Sequence, residues 1–359
     1  MALIPELPPS VNDAQSLTDA KPPPPPLDAV VHEDGTEDDL ELEVESKYKG
    51  TCLAMPYMPR EDVGFTIPDG AGGAVPVQDD QLWINGTTIT YAFMPRASKR
   101  HEWGEDKVHK IAKEWSLYAN IAFQHVEDPK DALVRIMFDR NDGSWSLTGK
   151  KEIEDKPTDQ PTMNLGGVEK ISKMQENDVG TILHEFGHVL GLKHEHQNPL
   201  RNNVFRMNEQ FTIEAFTHSQ GWSEQTVREQ ILDVYNSNDV GNYTDLDLSS
   251  VMIYFMPAAQ NDKGIEIKPN NKLSDYDKAF MLIHYPYFGF EPQVEGWDFT
   301  KALDVFGIHG QDRDEMTRIY GTGNVRDVRR HFAEVYESIR EQRNAALAKD
   351  IASRPPAPA

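Results

Sequence analysis

The sequence predicts an α+β domain, a sheet packed on helices, with a helical extension behind it. Three observations carry this expectation. Residues 81 to 138 show strand, strand, helix, strand, strand spacing in that order. Val179, Ile182, Leu183, Phe186, Val189 and Leu190 then recur at the spacing of one apolar helix face. A second stripe, Val328, Phe332, Val335, Ile339, Ala346 and Leu347, lies near the C-terminus.

Residues 1–50 read as a disordered, acidic, proline-rich leader. Pro22 to Pro26 is a five-proline run that favours an extended polyproline conformation, and Glu33 to Glu45 holds eight acidic residues and no basic one. Such a segment buries too little apolar surface to offset its ordering entropy. It reads as a solvated leader, with an inhibitory or docking tail as the alternative. Residues 51–78 read as a linker, and a compact domain spans 79–287. Gln81 to Ile84 and Thr87 to Phe93 read as two strands joined by a turn at Asn85-Gly86. Asp106 to Asn120 reads as a helix burying Val108, Ile111, Ala112, Trp115 and Leu117. Ile121 to Phe123 and Leu133 to Phe138 read as strands. Asn177 or Asp178 is the expected N-cap of the following helix. A last helix over Lys272 to Tyr285, capped by Ser274 or Asp275, is stopped by Pro286. Residues 288–359 form a mostly helical extension whose stripe is expected to pack back on the domain, and 352–359 a frayed tail.

The 359 residues carry a formal net charge of −23, from 36 basic and 59 acidic residues. So acidic a chain repels nucleic acid and anionic membrane, and neither is an expected main partner. Cys52 is the single cysteine, so no internal disulfide can form. The opening MALIPELPPSVNDAQ lacks the basic and apolar regions of a secretory signal, and no apolar run approaches the roughly 20 residues of a membrane span. The sequons at Asn85 and Asn242 matter only on a secretory route. The expectation is a cytoplasmic monomer, with non-standard export leaving no readable mark.

One motif carries chemistry: His184-Glu185-Phe186-Gly187-His188, followed by Gly191 and His194. His184 and His188 are four residues apart, so on a helix they share a face and can grip one tetrahedral ion. Glu185 flanks that ion rather than ligating it, and can act as general base toward the attacking water. Gly191 can take positive φ, end the helix and turn the chain so that His194 becomes the third ligand. Three protein ligands leave one position open, as a catalytic zinc site requires. A bare HExxH is weak, and its plain reading is two surface histidines. Adding Gly191 and His194 lowers chance occurrence by roughly 400-fold. A second feature agrees: Asp247 to Tyr254 reads DLSSVMIY, with Met252 about 58 residues beyond His194.

These residues resemble the metzincin zinc proteases, and within them the astacins. Glu195 directly follows the third histidine, giving His194-Glu195-His196, and Tyr254 falls two residues after Met252. The resemblance covers approximately Asp79 to Pro286. It implies the metzincin (zincin-like) fold, a twisted, mostly parallel sheet packed on helices that include the zinc-binding one. It implies one catalytic zinc ion on His184, His188 and His194, with Glu185 as base that passes its proton to the leaving amine. Met252 would form an apolar floor under the metal. Tyr254 would be a resting fifth ligand that swings to stabilise the oxyanion. Ser144, Trp145, Ser146 and Leu147 would form the edge strand that pairs with extended substrate. Gly191 and Glu195 would be structural residues near the site, Glu195 meeting a new N-terminal ammonium in activated family members. Animal astacins carry two disulfides, which this chain cannot form, and Gln197-Asn198-Pro199 replaces their arginine-bearing stretch.

The resemblance implies a zinc metalloendopeptidase acting on peptide or protein substrates. The alternative from another class is a non-enzymatic or latent zinc-binding protein of the same fold, for which Glu185 and Tyr254 would be superfluous. A serralysin-like protease fits less well, because Glu195 stands where those carry proline and no calcium-binding glycine repeats are present. Gln175 to Gly180, Tyr235 and the stretch after His196 are candidate pocket walls.

Overall fold

The computed structural model describes residues 82–95, 101–140, 142–168, 172–235, 243–289 and 294–353. The predicted leader, the linker with Cys52, and Asn242 lie outside them. All described residues fall within one compact unit, Glu41–Ala359.

Five strands form one sheet in the order β2-β1-β3-β5-β4. They are β1 Thr88–Phe93, β2 Ala122–His125, β3 Val134–Met137, β4 Ser144–Ser146 and β5 Met163–Leu165. The first three and β5 run parallel, with Tyr91 opposite Val134 and Ile136 opposite Met163. Only β4, at the edge, is antiparallel, Trp145 facing Asn164. The mostly parallel α+β sheet is therefore as expected. β3 and β5 are buried on both faces, which explains their near-continuous apolar composition.

The residues before β1 differ from expectation. Leu82 to Gly86 form no strand; the turn at Asn85-Gly86 is closed by Thr87 N–H to Ile84 O at 3.0 Å. Leu82 and Trp83 are buried as a side-chain tether, with the Trp83 indole N–H donating to Val189 O at 2.7 Å. That segment is apolar because it packs, and alternation alone cannot distinguish packing from pairing. The first helix also shifts: α1 covers His101–Ile111, and Ala112–Leu117 tightens into a 3₁₀ turn. Trp115 sits on that turn, fully buried, donating its indole N–H to Leu183 O at 2.9 Å.

Helix α2 spans Gly149–Asp155 and α3 spans Glu176–Val189. The cap of α3 is Gln175, ahead of the expected Asn177 or Asp178. Asp178 is instead the third helical residue, its carboxylate accepting from the Gln175 N–H at 2.8 Å. The same carboxylate receives Lys107 Nζ at 2.6 Å, and that ammonium also donates to Val168 O at 2.7 Å. A buried lysine of α1 thus pins the start of α3. Glycine at 180 is required for close approach, since a Cβ there would overlap Asn271 Oδ1.

Helix α4 spans Glu209–Gln220 and ends on Gly221 at φ +68°. Helix α5, Asp275–His284, begins at the expected cap Ser274, whose hydroxyl accepts from Asp277 N–H. Three helices follow, α6 Phe299–Val305, α7 Gly310–Tyr320 and α8 Val325–Ser353. Val328, Phe332 and Val335 of α8 are buried in the same core as Ile182, Phe186 and Phe280, and Ile339 packs against it. The side chains of Ala346 and Leu347 lie outside the described residues, and helix continues through Ala352 and Ser353, where a frayed tail was expected. No described helix is long and apolar enough to cross a membrane.

Lys107→Ala would leave Asp178 buried without its ion partner. Breaking such a pair costs about 3–5 kcal/mol, to be read as a lowered urea midpoint. A change below about 1 kcal/mol would show that Lys107 does not anchor α3.

Candidate metal centre

Helix α3 carries His184, Glu185 and His188 on its buried side, with exposures of 6%, 0% and 0%. The helix ends at Gly191, whose φ of +97° and N–H to His188 O bond at 2.8 Å reverse the chain. His194 is thereby brought back onto the two helical histidines. One ligand atom from each of the three lies within 4.8 Å of the others, a grouping able to bind a metal ion.

The carbonyls around the rings set their tautomers. His184 Nδ1 lies 2.8 Å from Val251 O, and His188 Nδ1 lies 2.7 Å from Leu192 O. A carbonyl only accepts, so both Nδ1 atoms carry the proton and both Nε2 atoms present a bare lone pair. Those Nε2 atoms are buried with no hydrogen-bond partner. Burial pushes His184 down to about 4 from its ordinary 6.5, partly opposed by the Val251 carbonyl. Burial lowers His188 and His194 well below the same value, and each is lowered further by its neighbouring histidine. The set is therefore neutral in the folded protein. Three neutral imidazoles with bare, converging lone pairs suit a borderline cation such as zinc.

Met252 lies beneath the histidines, buried at 2% exposure. Gly187 makes room for it, because a Cβ at that position would come within 2.5 Å of Met252 Sδ and 3.2 Å of the Trp115 ring. Tyr254, 6% exposed, has its ring centroid 4.4 Å from those of both His194 and His196. Glu195 turns away from the rings. Its Oε1 accepts from Asn198 Nδ2 at 3.0 Å and from Asp247 N–H at 2.9 Å, while its own N–H donates to Met252 O at 3.0 Å. Burial raises the Glu195 carboxyl well above its ordinary value, against the pull of those donors. Strand β4 stands apart from this cluster, at the edge of the sheet beside α3; Ser144 and Ser146 are buried, Trp145 is half-buried, and Leu147 N–H continues the pairing to Thr162 O at 2.9 Å.

Several residues that shape the centre carry no sequence signal. Asp277 of α5 accepts from Ser250 Oγ at 2.7 Å and from Val251 N–H at 2.9 Å, and so holds the carbonyl that orients His184. His196 Nε2 meets Gln230 O at 2.9 Å, and Arg201 donates to His196 O at 3.0 Å and Leu232 O at 2.6 Å. Tyr235, a candidate wall, donates its hydroxyl to Gln197 Oε1 at 2.7 Å. Only the recurrence of HEH after Gly191 hinted at His196; the others are supplied from distant positions in the chain.

Comparison with known proteins bears directly on this arrangement. A family model described as Astacin, a zinc peptidase family, matches residues 76–286, which include every residue of the metal centre and stop before α6, α7 and α8. No curated protein sequence matches the chain significantly. Among solved structures, one of myroilysin is 31% identical, covers 60% of this chain and 98% of its own, and superposes with a TM-score of 0.52. A crystal structure of myroilysin is 27% identical, covers 66% and 100%, and gives 0.44. High choriolytic enzyme 1, a hatching enzyme zinc-protease from Oryzias latipes (medaka fish), is 18% identical, covers 59% and 98%, and gives 0.41. With three neutral histidines converging on α3, a methionine floor beneath them and a family match over most of the domain, the chain belongs to the astacin family of zinc metallopeptidases.

Proposed function

We propose that this protein is a zinc-dependent endopeptidase of peptide or protein substrates. The observation that carries this reading is the convergence of three buried neutral imidazoles beside the fully buried Glu185. Zinc, when bound, supplies a Lewis acid that polarises the scissile carbonyl and makes water a stronger acid at neutral pH.

The remaining work falls to the chain's own residues. His184, His188 and His194 hold the ion, two of them with tautomers fixed by Val251 O and Leu192 O. Glu185 takes a proton from the attacking water at its carboxylate and returns it to the leaving amine. The Tyr254 hydroxyl, beside His194, donates to the oxyanion of the tetrahedral intermediate. Met252 keeps the underside of the histidines dry and apolar. The edge strand β4 pairs through its backbone with an extended peptide, which favours chain interiors over free ends. Glu195 fastens His194 to the Met252 loop.

Glu185→Gln keeps the size of the side chain and removes the base. It should lower kcat by about 10²–10⁴-fold while leaving one zinc bound per chain. Stripping the metal with a chelator should abolish cleavage of a denatured protein substrate, and adding zinc should restore it. A wild-type protein loaded with zinc and inert toward peptides would favour a latent or purely binding role. Tyr254→Phe should lower kcat by about 10²–10³-fold with little change in KM, if its hydroxyl acts only in the transition state.

Acid should act in one direction. His184 is held at about 4 and His196 and His284 at about 3, each below an unfolded value of 6.5. The unfolded chain therefore takes up protons that the folded protein excludes. Stability of the metal-free protein should be full above pH 6.5 and fall as the pH drops from there toward 4, read as a declining urea midpoint. Zinc should dissociate over the same window, because its ligands must be neutral. A midpoint that rose through this range would contradict the assignment.

A further inference from the structure

We propose that the C-terminal helix α8 is a positioning element of the metal centre, acting through the segment Tyr243 to Asp247; this rests on the zinc reading above. Helix α8 lies beyond the family-matched residues 76–286. Its far-reaching contacts converge on one stretch of chain. Tyr336, 2% exposed, accepts the Asp245 N–H on its hydroxyl at 3.1 Å. Arg343 Nη1 pairs with Asp245 Oδ2 at 2.7 Å. The Arg340 guanidinium lies over the Tyr243 ring at 4.1 Å and reaches Tyr243 O at 3.4 Å.

That stretch is one step from the third ligand. Asn198 Nδ2 donates to Thr244 O at 3.1 Å and to Glu195 Oε1 at 3.0 Å. Asp247 donates its N–H to the same Glu195 oxygen at 2.9 Å and accepts the Ser274 hydroxyl at 2.6 Å. Glu195 is bonded to His194 in the chain and tied by its N–H to Met252 O at 3.0 Å. The path from α8 to a metal ligand is therefore a continuous run of hydrogen bonds: Tyr336 and Arg343 to Asp245, the 244–247 backbone to Asn198 and Glu195, and Glu195 to His194 and Met252. Helix α8 is itself immobilised, because Phe332 is in the core and Arg329 donates from Nε and Nη2 to His284 O at 2.9 and 2.6 Å. A rigid helix that grips a loop from outside limits the positions the loop can take. The loop's own hydrogen bonds pass that limit to the ligand.

The test uses the full-length chain with cobalt in place of zinc. The double variant Tyr336→Phe with Arg340→Ala should change the visible absorption of the cobalt protein and release metal to a chelator faster by about tenfold, the low end of what removing a ligand's supporting partners costs. Its kcat should fall while KM moves less than about twofold. Arg340→Lys, which keeps a cation over Tyr243, should recover most of the release rate. Arg318→Ala, which breaks an exposed pair with Glu315 on α7, should leave every readout unchanged. If the double variant does not fold, Arg343→Ala, which loses only a surface pair, decides the matter by the same cobalt spectrum and release rate. Folded variants with wild-type spectrum and release rate would overturn the proposal. The spectrum and release rate report on it even if the protein cleaves no peptide, so failure of the endopeptidase reading is separately visible.

Discussion

The metal centre depends on one buried carboxylate that touches no metal ligand. Asp277, 6% exposed, accepts Ser250 Oγ at 2.7 Å and the N–H groups of Val251 and Ser274 at 2.9 Å each. Burial raises its carboxyl to about 6, and the three donors work against that rise. Two jobs are done at once. The Ser274 contact closes the capping box that starts α5, and the Ser250 and Val251 contacts fix the loop beneath the histidines. With Val251 held, its carbonyl takes the Nδ1 proton of His184, and the opposite nitrogen is left bare. Asp277 thereby helps set the tautomer of a ligand from a helix nearly a hundred residues away in the chain.

The same site carries a cost that binding an ion removes. His184 and His188 bury Nε2 atoms without partners, and leaving such an atom unsatisfied costs about 1–3 kcal/mol. Each imidazole is also denied its proton by burial. A cation at the focus satisfies all the lone pairs together. Metal binding and folding are in this way coupled, and the surrounding core has to be rigid enough to keep the rings from turning to other partners. Trp115 beside α3, and Trp83 at its end, supply that rigidity through indole bonds to Leu183 O and Val189 O.

Glycine allows the close approach that this demands. At position 187 it admits Met252 against the helix, and at 180 it admits the Asn270-Asn271 loop that leads to α5. Both sit inside a helix, where glycine costs about 1 kcal/mol in propensity relative to alanine. Packing offsets that cost, since a Cβ at either place would overlap a neighbour. A chain with no internal disulfide is held instead by such close contacts, by the Lys107–Asp178 pair and by the C-terminal helices in the common core.

By itself the sequence determined the elements whose signal is local. Apolar spacing set α3 and the stripe of α8, the Ser274 cap set α5, and the spacing of His184, His188, Gly191 and His194 set the metal triad, because one helical turn and one glycine reversal suffice to bring those atoms together. It misjudged the residues before β1 and the cap of α3. There the apolar Leu82 and Trp83 and the acidic Asp178 serve long-range contacts that mimic strand and cap patterns. Only the tertiary structure decided that Asp277 steadies Val251 and His184, that Glu195 is engaged by Asn198 and Asp247, and that Tyr336 and Arg343 reach Asp245. These contacts join residues far apart in the chain, and no local spacing records which distant carboxylate or carbonyl the folded core will place within hydrogen-bond reach.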